Sequence, residues 1–442
     1  MRYFFILLSF LFIVGCSQKE IEPETVPKKK IAKGIQDLLN VPQNIEYYTK
    51  NVNFTRASYI NTNKYEKSYF SPWNIDEPVV TRDDVQWAFK SYRVGRTYGD
   101  NLRPLKQEFF DEMLYQSNIQ NYLTLSKRAI TLKHVNIRAY PTSKPLLLDP
   151  SLAGEGFPFD YLQNSTIQAN KPIFATHYSK DGEWVHILSS FTHGWIKSND
   201  IVFLNKDHTD AWQKAQQVFI TKENESIYSQ SGDFLFKTKI GTMLALVSEN
   251  EEEYEVLVVS SQNGTKPLFL KAKLSKDIAK KDGLALNGTN FENIANQMLN
   301  SNYGWGGIYG ERDCSSMLRD LYAPFGLWLP RNSSKQSKIG EVISFDGLDN
   351  NQKIALIKEK ALPFKTLLYK KGHIMLYVGT YKDEVIIFHD TWGVKTKEGK
   401  VEGRIIIGKT IFSTLKLGKE QKNYDKSSQL LRNLKSMNIL NF

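Results

Sequence analysis

Cys314 is the residue of this chain best placed to act as a nucleophile. It stands directly before Met317, Leu318, Leu321, Tyr322 and Phe325, an apolar stripe at helical spacing closed by Gly326. A helix therefore starts at or near the cysteine, with Asp313 as its N-cap. The unpaired N–H groups and helix dipole at that end favour an anion, here a thiolate, which predicts a sulfur more acidic than a free thiol. A thiolate works with an imidazole that holds the ion pair and later protonates the leaving group. Of the seven histidines, only His373 and His389 follow Cys314.

His373 opens the alternating run His373-Ile374-Met375-Leu376-Tyr377-Val378, and His389 ends Val385-Ile386-Ile387-Phe388-His389. Gly379 to Glu384 reads as the loop of a hairpin between them. A turn centred on Tyr381 sets the two histidines directly opposite each other, with Cβ atoms about 4.5–5.5 Å apart. His389 is then able to bond one nitrogen of His373 while the other nitrogen faces sulfur. A one-residue slip would replace His389 by Phe388 or Asp390. Either histidine alone reads as a satisfied core residue. Their matched positions, joined to a cysteine at a helix start, favour the catalytic set Cys314, His373 and His389. These residues lack the close CxxC or HExxH spacings of a zinc site, and no metal or organic cofactor is expected. The loop Tyr303-Gly304-Trp305-Gly306-Gly307 lacks the Lys-Ser/Thr and the preceding strand of a phosphate-binding loop.

The chain that must position these groups has 442 residues, too many for one domain. Its 41% hydrophobic and 24% charged content excludes disorder, collagen and a polytopic membrane protein. A net charge of +11 favours acidic partners. No basic helix with interleaved aromatics accompanies it, so nucleic acid is not expected and an anionic wall is. Arg312, Arg319 and Arg331 read as solvent-facing or structural, with substrate carboxylates the alternative.

At the N-terminus, Arg2 precedes an apolar run from Tyr3 to Val14 that is too short to span a bilayer and matches a secretory leader. Ile13-Val14-Gly15-Cys16 resembles a bacterial lipobox, which implies cleavage before Cys16 and a lipid anchor there. Residues 1–16 are read as a lipoprotein signal peptide and 17–34 as a solvated tether. With Cys16 lipidated, Cys314 is the remaining thiol.

Residues 35–131 carry helical patterns. Thr81 with Asp84 forms a capping box ahead of Val85, Ala88, Phe89 and Tyr92, and Leu105, Phe109, Met113, Leu114, Ile119, Tyr122 and Leu123 form a stripe. Between Leu132 and Lys276 the texture changes to short β-rich runs with Gly, Asn and Asp turns, room for two small barrels at 132–208 and 209–277. Helical patterning returns in 278–442, with a second capping box at Thr289 and Glu292.

With these motifs in place, residues 278–442 resemble the NlpC/p60 family of papain-like cell-wall endopeptidases. The resemblance rests on Tyr303-Gly304-Trp305-Gly306-Gly307, Asp313-Cys314-Ser315-Ser316, Leu329-Pro330-Arg331 and Gly372-His373-Ile374-Met375-Leu376-Tyr377-Val378-Gly379. Ser71-Pro72-Trp73 and Pro158-Phe159-Asp160-Tyr161-Leu162-Gln163 resemble earlier signatures of the branch with an N-terminal stabilising domain and two bacterial SH3-like domains. The fold class implied is multidomain: a helical N-terminal domain, two SH3-like β-barrels and an α+β papain-like NlpC-type peptidase domain. The implied substrate is a peptidoglycan stem peptide or muropeptide, cut between γ-D-glutamate and the diamino acid. Asp313, Ser315 and Tyr161 are the implied holders of the stem's free amine, although Asp313 serves equally as a helix cap. The Cys314 backbone N–H is the expected oxyanion donor, and Tyr303 is read either as its helper at the substrate or as an aromatic packing beside the glycines. The lysine-rich insert before His373 departs from the family pattern, and Leu348 to Lys360 reads as an extra helix. The rival functions are a lipid-anchored wall-binding protein with a silent peptidase fold, and acyl transfer by the same thiol. The protein is expected to be an exported, periplasmic, monomeric lipoprotein. Ser17 stands where an aspartate would retain it at the inner membrane, so the outer one is expected.

Overall fold

A computed structural model describes residues 34–50, 52, 54, 62–262 and 266–441. Cys16, its leader and nearly all of the tether lie outside the described residues.

The N-terminal helices are short, among them Gln36–Asn40, Ile45–Thr49, Asn63–Tyr69 and Gln107–Gln116. Helices this short are marginal alone and hold through packing. Ile45 and Tyr48 join the core of the C-terminal unit, Tyr69 and Trp73 fill the junction between the barrels, and Ala88, Phe110 and Met113 pack on Tyr140 and Leu162 of the first barrel. The N-terminal region thus stitches the other units together. The Thr81 capping box forms as expected, but its helix breaks at Gln86 into Arg82–Val85 and Trp87–Ser91. The expected stripe is also corrected: Leu114 faces solvent, because the buried face of this helix runs through Phe110, Met113 and Ser117.

The first barrel is a seven-stranded antiparallel sheet running from Lys127 to Phe203. The second has five strands between Gln217 and Lys281, plus a ribbon of Ser226–Tyr228 with Phe234–Lys237. The β-rich stretch expected between Leu132 and Lys276 forms strands that include Val135–Arg138, Trp184–Ser189, Met243–Glu249 and Glu253–Gln262.

In the C-terminal unit, helices α1 (Gly288–Met298) and α2 (Cys314–Tyr322) cover one face of a sheet, and α3 (Asn350–Lys360) the other. The strands are β1 (Glu341–Ser344), β2 (Thr366–Lys370), β3 (His373–Tyr381), β4 (Glu384–Glu398), β5 (Val401–Thr414) and β6 (Leu434–Ile439), in the spatial order β1-β6-β2-β3-β4-β5. Asn287, not Thr289, caps α1 by accepting from Asn290 N; the Glu292 carboxylate instead receives the Thr49 hydroxyl. The insert helix α3 forms as expected, capped by Asp349.

The β3–β4 hairpin turns tightly at Lys382 and Asp383, both at positive φ (46° and 67°). A bulge at Val378 shifts its register, which reaches Leu376 opposite Phe388. Extended along both strands, that register sets Met375 opposite His389. The expected direct pairing of His373 with His389 is therefore corrected to a diagonal one. The offset is two residues, and because side chains alternate with period two the imidazoles still share a face.

The Gly-rich loop is a docking loop. Gly306, at φ +60°, lies so close to the first barrel that a Cβ there would fall 2.3 Å from the Gln163 carbonyl oxygen. Trp305 Nε1 donates to the Asp160 carbonyl at 3.0 Å, and Gln163 Nε2 to that of Gly306 at 3.2 Å. Asp160 is itself fixed by a buried ion pair with Arg138 at 2.6 Å.

Candidate active site

Cys314 is the first residue of α2, where its backbone N–H has no acceptor within the helix. Asp313 caps that end: its Oδ1 accepts from Ser315 N at 3.1 Å and Ser316 N at 2.9 Å, and the Ser316 hydroxyl accepts from Asp313 N at 2.9 Å. Arg331 then clamps the carboxylate, Nη1 to Oδ1 at 3.0 Å and Nη2 to Oδ2 at 2.6 Å, and also bonds Ser315 Oγ and Ser165 Oγ. The Arg331 guanidinium holds the Asp313 carboxyl below its usual range against the opposing effect of burial.

The sulfur is buried against the core and accepts from the Ile374 backbone N–H, one residue past His373. Burial, aided by the nearby Asp313 charge, pushes the thiol up to about 12, with the Ile374 N–H pulling weakly the other way. This overturns the expectation of an acidified thiol. The helix terminus is satisfied by a carboxylate that is itself negative, and removal of sulfur from water dominates. Burial likewise depresses both imidazoles, His389 to about 3 and His373 well below its normal value. Both directions favour a neutral thiol beside a neutral imidazole at rest.

His373 Nε2 lies 2.8 Å from His389 Nδ1, and His389 Nε2 lies 3.0 Å from Ser413 Oγ. The Ser413 hydroxyl donates to the Thr414 carbonyl at 3.0 Å, so it accepts from His389 Nε2–H. His389 Nδ1 is then an acceptor and takes the Nε2–H of His373. That tautomer leaves His373 Nδ1 with a free lone pair, the state a base requires.

Two cavities of about 550 and 310 Å³ share Tyr303, Trp305 and Gly372 as walls. The larger is lined by Cys314, Asp313, Ser315, Arg331 and, from the first barrel, Tyr161; the smaller is lined by His373. Each candidate substrate residue therefore faces the larger cavity. Tyr161 donates its hydroxyl to Glu155 at 2.7 Å. Arg312 and Arg319 are structural: both pair with buried Asp320, and Arg312 reaches Glu223 of the second barrel. Arg331 is structural too, though it also walls the larger cavity. Among the described residues no cluster of three or more His, Cys, Asp or Glu could hold a metal.

A thiol at a helix start beside bonded imidazoles on an antiparallel sheet defines the papain-like class of fold. Residues 300–406 match the NlpC/P60 family, 5–122 its N-terminal stabilising domain, 145–197 an SH3 domain of SH3b1 type and 206–251 one of SH3b2 type. The chain is similar to an NlpC/P60 endopeptidase from Photobacterium damselae subsp. piscicida, with TM-score 0.77 and 23% identity over 90% of this chain and 97% of that one. An NlpC/P60 family protein from Bacillus cereus aligns with TM-score 0.48 and 16% identity over 71% of this chain and 99% of that one. In sequence, a γ-D-glutamyl-L-lysine dipeptidyl-peptidase from Bacillus cereus is 23% identical over 219 residues, 46% of this chain. The chain spans 62% of that relative's length.

Sequence reasoning missed Ser413 and Asp390. A serine in the apolar run Ile411-Phe412-Ser413 was the available signal for the first. Asp390 is fully buried, and burial with the nearby Asp313 charge drives its carboxyl well above the usual range, favouring the neutral acid.

Proposed function

We propose that this protein hydrolyses peptidoglycan stem peptides at the amide between γ-D-glutamate and the diamino acid. The observation that carries the reading is the His373–His389 hydrogen bond, set one residue from the amide that holds the Cys314 sulfur, between two cavities that share Tyr303, Trp305 and Gly372 as walls. As Sγ attacks the carbonyl carbon, its proton passes to His373 Nδ1. The Cys314 backbone N–H stabilises the oxyanion, with Tyr303 beside it. The C–N bond breaks as imidazolium His373 protonates the departing amine, leaving a thioester. Water, deprotonated by His373, then attacks the thioester and frees the thiol. His389 orients His373. A neutral resting pair means the charge develops only once substrate has displaced water.

The acyl fragment occupies the larger cavity. There the free amine of the stem finds Ser315, Tyr161 and Asp313, the last already sharing its charge with Arg331. The NlpC/P60 match and the similarity to a γ-D-glutamyl-L-lysine dipeptidyl-peptidase support this substrate class. The test is digestion of muropeptides and whole sacculi with identification of the new termini. Wild type should release γ-D-glutamyl products, and Cys314→Ala and His373→Ala should be inert at equal melting temperature. Full activity in Cys314→Ala ends the thiol mechanism. Wall binding without product favours a silent binder, and product masses reveal any transfer.

We also read the chain as exported, monomeric and anchored by lipid on Cys16. No helix among the described residues is long and apolar enough to cross a membrane. Loss of radiolabelled palmitate in Cys16→Ala, with release from the membrane fraction, is the expected result.

A further inference from the structure

Among the described residues, three cations and no carboxylate line the smaller cavity, an imbalance that the peptidase chemistry above does not use. Two of these cations are already engaged. Lys395 pairs with Glu402, and Arg404 donates to the backbone carbonyls of Leu152 and Glu155, tying the long β4–β5 hairpin to the first barrel. Lys370 is different: it is partly buried at the end of β2 and has no hydrogen-bond or ion-pair partner among the described residues. Its cross-strand partner is His373, so both side chains stand on one face at the mouth of the same cavity. A partly desolvated ammonium left unpaired is costly unless something it binds supplies the counter-charge. Burial lowers its proton affinity, and a Cys314 thiolate, once formed, raises it.

The cavity's place along the groove says which part of a substrate would do so. Cys314 lines the larger cavity and His373 the smaller. The group that leaves must receive its proton from the imidazole, so the amine fragment lies on the His373 side. Phe159, Trp392 and Leu417 add apolar walls suited to a methylene chain.

We propose that the smaller cavity is the leaving-group subsite, that it selects a diamino acid fragment bearing a free carboxylate, and that Lys370 is the counter-ion. The inference rests on the peptidase reading and names its substrate class. A lysine side chain in this cavity would set its ammonium against that of Lys370, whereas a side-chain or C-terminal carboxylate would complement it.

The test uses the full-length protein and matched tripeptides with γ-linked D-glutamate. Their third residue is a diamino acid with a free ω-carboxylate, the same residue with that group amidated, or lysine, each with a free or amidated C-terminus. We expect amidation of one of the two carboxylates to raise KM by about tenfold or more; the sensitive position identifies the source of the bound group. Lys370→Met should erase that discrimination and Lys370→Arg keep it, with melting temperatures confirming folding. Discrimination below twofold in wild type, or undiminished in Lys370→Met, overturns the proposal. If wild type cleaves none of these peptides, the peptidase reading itself falls. The subsite is also read without turnover, by calorimetry of the free diamino acid on Cys314→Ala, where binding that ignores Lys370→Met counts against it.

Discussion

Ser413 Oγ stands 3.0 Å from His389 Nε2 and donates its own proton to the Thr414 carbonyl, so one hydroxyl sets the tautomer of both histidines. The relay crosses three adjacent strands, from β3 through β4 to β5. It makes His389 an acceptor toward His373 and leaves His373 basic on the nitrogen that remains free.

Ser413→Ala removes the acceptor for His389 Nε2–H and lets the ring adopt the other tautomer. Outer partners of this kind are worth about 10–100-fold in activity. The expected result is a loss of about tenfold in kcat with KM nearly unchanged, smaller than the loss in His389→Ala. Steady-state kinetics on a muropeptide checks it, and an unchanged kcat removes Ser413 from the relay.

Alkylation of Cys314 by iodoacetamide should be slow at neutral pH and climb steadily above pH 8, because burial pushes this thiol up to about 12. A preformed thiolate–imidazolium pair would instead give a plateau extending into acid. Rate constants from pH 5 to 10 on a Cys16→Ala background separate the two. A plateau would return the site to the ion-pair form that the helix terminus alone predicts.

His389 is neutral in the fold, with its pKa depressed by burial to about 3. A base depressed on folding contributes stability that is fully present above its unfolded pKa, about 6.5, and is lost as pH falls below it. Between pH 6.5 and 5 this single group should account for about 2 kcal/mol of destabilisation. Urea unfolding of wild type and His389→Gln at pH 7.5 and 5 measures it: the variant should lose less stability across that interval. Equal losses would mean that His389 is already solvated. His177, held near 4 by burial between Thr176 and Ser117, should behave in the same way.

Arg331→Met strands the buried Asp313 carboxylate at the mouth of α2. Breaking a buried pair from one side costs about 3–5 kcal/mol, and Arg331→Lys cannot restore two parallel bonds to one carboxylate. Both variants should lower the urea midpoint, the methionine more. An unaltered midpoint in Arg331→Met would show that the Ser315 and Ser316 contacts alone satisfy Asp313.

Several elements were legible because their causes are local. The Asp313 cap, the start of α2 at Cys314 and the helix after Asp349 depend on hydrogen bonds within about four residues. That His373 and His389 share a face follows from strand periodicity, which survives an offset of two. The offset itself arose from a bulge at Val378 and a tight turn at Lys382, neither of which has an alternating-pattern signature.

What sequence determined on its own was therefore the inventory of reactive groups, the local elements that carry them and the family motifs in which they sit. Tertiary structure decided the protonation states, the partner of Asp313, the Ser413 relay and the position of Lys370 at the smaller cavity. Each of these depends on dielectric and contacts supplied from distant parts of the chain: Arg331 meets Ser165 of the first barrel, and Trp305 meets Asp160. A helix N-terminus acidifies a thiol in water. Burial beneath a clamped carboxylate reverses the sign, and only the folded packing shows which effect is larger.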